Sequence, residues 1–345
     1  MIAGASIVVA IVVSIVILRG PSTSPNRTVV TKGSPNRTVG TKRSPKPIVV
    51  TTGPKTCIYT RTGISGLEQA AALLDVPADC TVIFDRAALN WAQWDTPWFI
   101  DPPLQNNNWA QWASRPGHRL VITVGLIPAS VVDDDWRTAG AAGEYAGYAQ
   151  LLAANLVRSG LGHAIIRLSN EPNGNWFTDH AGTTSAQVAE WVEFWRRTVA
   201  AMRSTPGAHF AFDWTVANGI GNLSLAALYP GDGYVNYIGD DIYDIAGDLT
   251  PDERWANLSR GPIGIDAVLA FARRHGKAFT IPEWGLSPSS AGGGGGDPTF
   301  IDDIAALARR PDCGYESYFF AGNSATTLTA SPLSIAAYRG DFGTA

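Results

Sequence analysis

Residues 56–345 predict an α/β fold, a (β/α)8 TIM barrel, on three observations. Eight short apolar runs recur along this stretch, and amphipathic helical patterns separate them. At about 290 residues the stretch suits a single barrel, which takes about 250 residues plus longer loops. No Gly-rich phosphate-binding turn follows the first run, which counts against a doubly wound open sheet, the alternative architecture.

Two segments precede the barrel. Ile2 to Leu18 run without a charge and are followed by Arg19-Gly20-Pro21. That length is at the short end for a membrane span and long for the core of a signal peptide. The expectation is an uncleaved anchor over residues 1–19, spanning the cell membrane once with the remainder extracellular; a cleaved signal peptide and secretion is the alternative. The positive charges follow the apolar run, which by itself favours the opposite orientation. From Ser24 a ten-residue repeat reads SPNRTVVTKG, SPNRTVGTKR and then SPKPIVVTTG, ending at Gly53. One proline or more per repeat and few large apolar side chains make residues 20–55 an extended, disordered linker.

The strands are expected at Cys57–Thr60, Thr81–Asp85, Leu120–Gly125, Ala164–Ser169, His209–Val216, Val235–Tyr243, Ala278–Glu283 and Tyr315–Phe320. Between them, Tyr145, Tyr148, Leu152 and Leu156 recur at helical spacing before Gly160 ends the run. Val188, Trp191, Trp195, Val199 and Met202 do the same, opened by a Thr184/Gln187 capping box and closed by Pro206-Gly207. These stripes are ordinary core faces. Gly292–Gly296, after the seventh strand, reads as a flexible insertion or a mobile loop beside the barrel mouth.

Composition narrows the partners. Of 26 basic residues eight fall in residues 1–55, which carry no acid, so the rest of the chain sets 18 against all 30 acidic residues. An acidic body is a poor match to nucleic acid, whose phosphates need a basic face. The lipid bilayer is the partner expected for the N-terminal segment, and the barrel is expected to act as a monomer. The five histidines show no paired zinc spacing, so neither metal nor cofactor is expected. The 12 tryptophans suit a cleft that stacks on flat ligands as well as they suit packing. Cys57 begins the first strand, Cys80 the second, and Cys313 precedes the eighth. In a closed barrel Cys57 could pair with either of the others, and buried free thiols are the third possibility.

Chemistry is expected where strands meet the loops at the C-terminal face of a barrel. The fourth run, Ile165-Ile166-Arg167-Leu168, breaks into Ser169-Asn170-Glu171-Pro172-Asn173-Gly174, and the seventh, Ala278-Phe279-Thr280-Ile281-Pro282, ends at Glu283-Trp284-Gly285. Strands four and seven face each other across a barrel mouth. Two carboxylates there can flank one glycosidic bond, one donating a proton and the other attacking or activating water. A carboxyl closing a buried strand loses solvation, which raises its pKa and suits the donor. Arg167 could hold Glu283 ionised or serve as a plain ion pair with Asp241 or Glu316. Tyr243 could donate to Glu283. Trp176, Phe177, Trp214 and Trp284 could stack on sugar faces, packing being the alternative for each.

These segments resemble clan A glycoside hydrolases, and most of all glycoside hydrolase family 26, best known for endo-β-1,4-mannanases with some β-glucanases and β-xylanases. The family's Arg-x-x-His-Glu-x-Asn-Gly-x-Trp-Phe pattern is matched by Arg167, Glu171, Asn173, Gly174, Trp176 and Phe177, with Asn170 in place of the histidine. The resemblance implies Glu171 as acid/base, Glu283 as nucleophile, Tyr243 as the residue orienting it, and Trp214 and Asn218 as cleft residues of the fifth strand. Asn170 is what other clan A families use to hydrogen-bond the 2-hydroxyl of the sugar. Strand eight offers Tyr315, Tyr318 and Phe319 where many relatives have a tryptophan. The implied activity is retaining, endo-acting hydrolysis of a β-mannan or β-glucan. A catalytically weak sugar-binding barrel and a clan A exo-β-glycosidase are the alternatives. An ester or peptide hydrolase is disfavoured by the lack of a Gly-x-Ser-x-Gly elbow.

Overall fold

The computed structural model describes residues 55–85, 88–100, 108–131 and 135–344. The expected anchor over residues 1–19, and the expected linker over 20–55 apart from Lys55, lie outside the described residues. Among the described residues no helix is long and apolar enough to cross a membrane.

Eight strands form one sheet: β1 Thr56–Tyr59, β2 Cys80–Phe84, β3 Arg119–Val124, β4 Ile165–Leu168, β5 Ala211–Ala217, β6 Tyr237–Asp244, β7 Ala278–Leu286 and β8 Cys313–Phe319. All neighbouring pairs from β2 round to β8 are parallel, and β8 pairs in parallel with β1. The seam between β1 and β2 is held differently. The Thr81 hydroxyl donates to the Ile58 carbonyl at 2.7 Å, and a Cys57–Cys80 disulfide joins the strands at their starts. Of the possibilities open for Cys57, the bond to Cys80 is the one formed, and Cys313 is a buried free thiol. The result is a (β/α)8 barrel with strands within a few residues of their expected positions.

Helices lie outside because the strands' outward residues are mostly apolar. Val188, Trp191, Trp195 and Val199 of the helix Ser185–Arg203 are buried in the large core between strands and helices. That helix opens on the expected Thr184/Gln187 capping box, which satisfies two backbone donors that have no partner inside the helix. The helix Ala146–Arg158 stops before Gly160, whose φ of 78° favours glycine.

The barrel interior is a separate, smaller cluster containing Cys57, Cys80, Val82, Val121, Ile165, Tyr237, Ala278 and Tyr315. Above it lies a polar layer in which buried Asp213 accepts from the Tyr315 hydroxyl at 2.6 Å and from the Thr280 hydroxyl at 2.8 Å. In register with Asp213 on the neighbouring strand is Arg167 of β4.

Gly292–Gly296 departs from the expected flexible insertion by folding back on the end of β6. Gly247 N donates to the Gly292 carbonyl at 2.8 Å, Ile245 bridges Gly293 antiparallel, and Gly295 N donates to Ser287 O at 2.9 Å. Beneath the loop, Arg254 is paired with Asp244 at 2.7 Å and with Asp297. A Cβ on Gly294 would overlap the Asp244 carboxylate and the Arg254 guanidinium, so glycine is needed for that approach.

Candidate active site

Alternation along β4 turns Ile165 and Arg167 into the barrel and Ile166 and Leu168 toward the helices. Arg167 is fully buried and is paired with the carboxylates of both Glu283 and Asp241. Burial alone would lower its pKa, but the Asp241 and Glu283 charges outweigh it and hold the guanidinium protonated. The two expected roles for Arg167, partner of Glu283 and partner of Asp241, therefore coexist. Glu316, the other candidate partner, instead accepts from the Trp284 indole.

Glu283 reaches the interior through an irregularity. In β7, Ala278 and Thr280 face inward and Phe279 and Ile281 face outward, so strict alternation would turn Glu283 outward as well. The register with β8 shifts between Ile281 and Trp284, and that with β6 shifts between Gly239 and Ile242. Such a bulge re-aims a side chain. Glu283 points at Arg167, while Trp284 turns outward. One Glu283 oxygen pairs with Arg167, and the other accepts the Tyr243 hydroxyl at 3.1 Å. The Glu283 side chain remains 13% exposed, so it opens toward the mouth.

Glu171 follows β4 and is part-exposed. Its Oε2 accepts the Trp176 indole N–H at 2.6 Å. The loop permits this because Gly174 has no side chain: a Cβ there would strike the Trp176 ring. Asn173 locks the same loop to β5, donating to Ala217 O at 2.8 Å and accepting from Ala217 N at 2.9 Å. Burial first and the Glu283 charge second raise the Glu171 carboxyl, and against the lowering pull of Arg167, the Trp176 indole and Asp241 the net result is about 7. Asp241, paired with the same arginine as Glu283, lies within electrostatic reach of both Glu171 and Glu283. Its own pKa is raised well above the usual range, by burial first and then by the Glu283 and Glu171 charges. Asn170 sits beside Glu171, half-buried at the end of the strand.

Two expected sugar contacts are corrected. Trp214 is wholly buried, packed edge-on against Tyr229 and tilted against Phe271 with ring centres 5.3 and 6.1 Å away. Its neighbour Asp213 faces the interior, so Trp214 must face the helices. Trp284 is likewise wholly buried among Tyr318, Phe300, Tyr338 and Phe342. Asn218 donates to Asp240 at 2.9 Å and to Leu258 O at 3.2 Å, tying the end of β5 to β6 and to the helix Pro251–Arg260. Trp176 and Phe177 remain partly exposed.

Sequence reasoning missed the aromatic wall facing the acids. Tyr59 of β1 meets Phe84 of β2 and Phe319 of β8, each at 4.6 Å between ring centres, and Phe319 lies 6.3 Å from Tyr243. All are last residues of strands or one short of the end, a position the strand boundaries did reveal. Asp85, just beyond Phe84, was also overlooked, and burial pushes its carboxyl to about 7.

Comparison with known proteins agrees with this arrangement. Residues 154–262 match the family model described as glycosyl hydrolase family 26. A mannan endo-1,4-beta-mannosidase of Bifidobacterium adolescentis is 30% identical over 152 residues, 42% of this chain but only 15% of that protein. Among solved structures, the YdhT protein from Bacillus subtilis superposes with a TM-score of 0.58 at 13% identity, and a Bacillus subtilis mannanase with 0.56 at 14%, each match covering 86% of both chains. A modular endo-beta-1,4-mannanase from Cellulomonas fimi gives 0.55 at 18% identity, over 85% of this chain and 74% of that one. At these identities the structural likeness carries the barrel fold. The family match is what covers β4, its loop, β5 and β6.

Proposed function

We propose that this chain is a glycoside hydrolase: a retaining, endo-acting β-glycosidase cleaving a β-linked polysaccharide, with Glu171 as acid/base and Glu283 as nucleophile. The observation that supports it most is that Glu171 and Glu283 lie within electrostatic reach of each other and of the buried Arg167, with different hydrogen-bond partners on each acid. Glu171, pushed up to about 7, keeps a proton for the leaving oxygen near neutral pH. Glu283, with one oxygen on Arg167 and the other on Tyr243, is oriented to attack the anomeric carbon. Glu171, left as carboxylate after donating its proton, then activates the water that releases the sugar. Phe84 and Phe319, both half-buried and backed by Tyr59, offer flat apolar faces against which a pyranose would lie.

A β-mannan is the substrate the relatives' names favour, with β-glucan next. The test is product analysis on a panel of mannans, β-glucans and xylans, with the anomeric configuration of the first product read by NMR. Retention on mannan with internal cleavage is expected; inversion would refute the double displacement. Glu283→Ala should abolish turnover while glycan affinity persists, and wild-type protein that binds but cleaves nothing on the panel would make this a sugar-binding barrel. We read residues 1–19 as an anchor holding the enzyme outside the cell. Protease added to intact cells should then cut within Ser24–Gly53, and protection would reverse the assignment.

A further inference from the structure

The chain leaves β4 through a single unusual residue. Ser169 has φ of 61°, a left-handed conformation that a serine adopts only when its surroundings impose it. It lies between the last hydrogen-bonded residue of β4 and the pair Asn170-Glu171, so its conformation sets the direction in which Glu171 projects. Ser169 N still bonds to Val124 O at 2.6 Å, as a continuing strand would, and the turn follows directly.

The loop that leaves this turn is tied back by Asp179, ten residues on and 3% exposed. Its Oδ2 accepts from Leu126 N at 2.9 Å, just past the end of β3. The Asp179 carbonyl accepts the Trp191 indole at 2.8 Å, and the next carbonyl, of His180, accepts Arg137 at 2.6 Å. Ala181 N returns to Pro172 O at 2.9 Å, closing the loop onto the residue after Glu171. Asp179 thus meets the end of β3 through its carboxylate and the helix Ser185–Arg203 through its carbonyl, and the same segment closes on Pro172 beside Glu171.

We propose that Asp179 is the positioning residue for Glu171: by fastening the returning loop to the end of β3, two residues before that loop bonds to Pro172, it aims Glu171 at the barrel axis. The proposal rests on Glu171 being the acid/base. Its side chain touches no substrate, so its removal should impair proton donation and leave sugar binding and nucleophilic attack in place.

The test compares wild type, Asp179→Ala and the conservative Asp179→Asn on two substrates. On polysaccharide, where the leaving oxygen needs a proton, Asp179→Ala should lower kcat about 100-fold, the size expected of a misplacement near 1 Å, with KM little changed. On a dinitrophenyl glycoside, whose leaving group needs no proton, kcat/KM should change less than about 3-fold because Glu283 is still aimed. Asp179→Asn, which keeps an acceptor for Leu126 N, should fall between. Equal losses on both substrates, or no loss on either, would overturn the proposal. A second readout needs no turnover. In 13C NMR of glutamate-labelled protein, with Glu171→Gln as the assignment control, the Glu171 titration should move from near 7 toward the ordinary carboxylate range in Asp179→Ala. An unmoved titration refutes the positioning role even if the wild type hydrolyses no sugar, whereas an inert wild type with a shifted titration refutes only the hydrolase reading.

Discussion

Trp176 does something a stacking platform does not: its N–H binds Glu171 at 2.6 Å and favours the ionised carboxylate. Removing that donor should therefore raise the pKa of the acid/base. Trp176→Phe keeps an aromatic ring, and since a hydrogen bond to a charged group contributes about 1.5–3 kcal/mol, the alkaline limb of the kcat/KM profile should move up by about one unit or more. A downward or absent shift would show that the indole serves packing alone. Tyr243→Phe acts on the other acid. Losing the 3.1 Å donor to Glu283 should reduce kcat by about 10- to 100-fold, read from initial rates at saturating polysaccharide. At this scale the sequence was legible where function and strand phase coincide. Arg167 sits two residues from inward Ile165, and Tyr243 two from Asp241, so their direction follows from a period of two. Trp214 and Trp284 were misread because chemical type was allowed to outrank phase. Asp213 and Thr215 flank Trp214, and a polar pair around an apolar ring on a barrel strand already implies that the ring faces the helices.

Elements carry what residues alone cannot show. The bulge in β7 that turns Glu283 inward leaves no trace in the run Phe279-Thr280-Ile281-Pro282-Glu283 except the proline, which cannot continue the ladder. The glycine run after β7 was read as looseness, because composition reports what a backbone is free to do and not what it bonds to. In the fold its lack of side chains lets it approach the Asp244–Arg254–Asp297 pairing beside Tyr243. Gly294→Ala should thus destabilise the domain by about 1–3 kcal/mol through overpacking, measured by denaturant unfolding. It should also lower kcat, since Asp244 adjoins Tyr243. Retention of full stability would mean that the loop yields. The Cys57–Cys80 disulfide closes the barrel at the opposite end from the acids. Breaking it with Cys57→Ala and Cys80→Ala should lower stability by about 3 kcal/mol, the loop-closure value for its 23-residue separation, with kcat nearly unchanged. Calorimetry should show a drop of about 6 °C.

Across the whole molecule, the interior that makes Glu171 a proton donor sets the direction in which stability depends on pH. Burial raises the pKa of Glu171 and Asp85 to about 7 and of Glu316 to about 8, and raises Asp213, Asp240 and Asp241 as well. Each of these acids binds its proton more tightly folded than unfolded. The stability each contributes is complete below about pH 4 and is lost as pH rises through the folded-state pKa, at up to about 1.4 kcal/mol per pH unit per group. The melting temperature should consequently fall between pH 5 and pH 8. Glu316 offers the cleanest check, because it is fully buried, accepts from the Trp284 indole and lies away from Glu171 and Glu283 on the outward side of β8. Glu316→Gln preserves an acceptor for the indole and removes the charge. It should leave stability at pH 5 nearly unchanged, raise it at pH 8, and narrow the gap between the two melting temperatures. An unchanged gap would mean that Glu316 ionises in the fold at little cost, and a melting temperature that climbs from pH 5 to pH 8 would contradict the account for the whole set of buried acids.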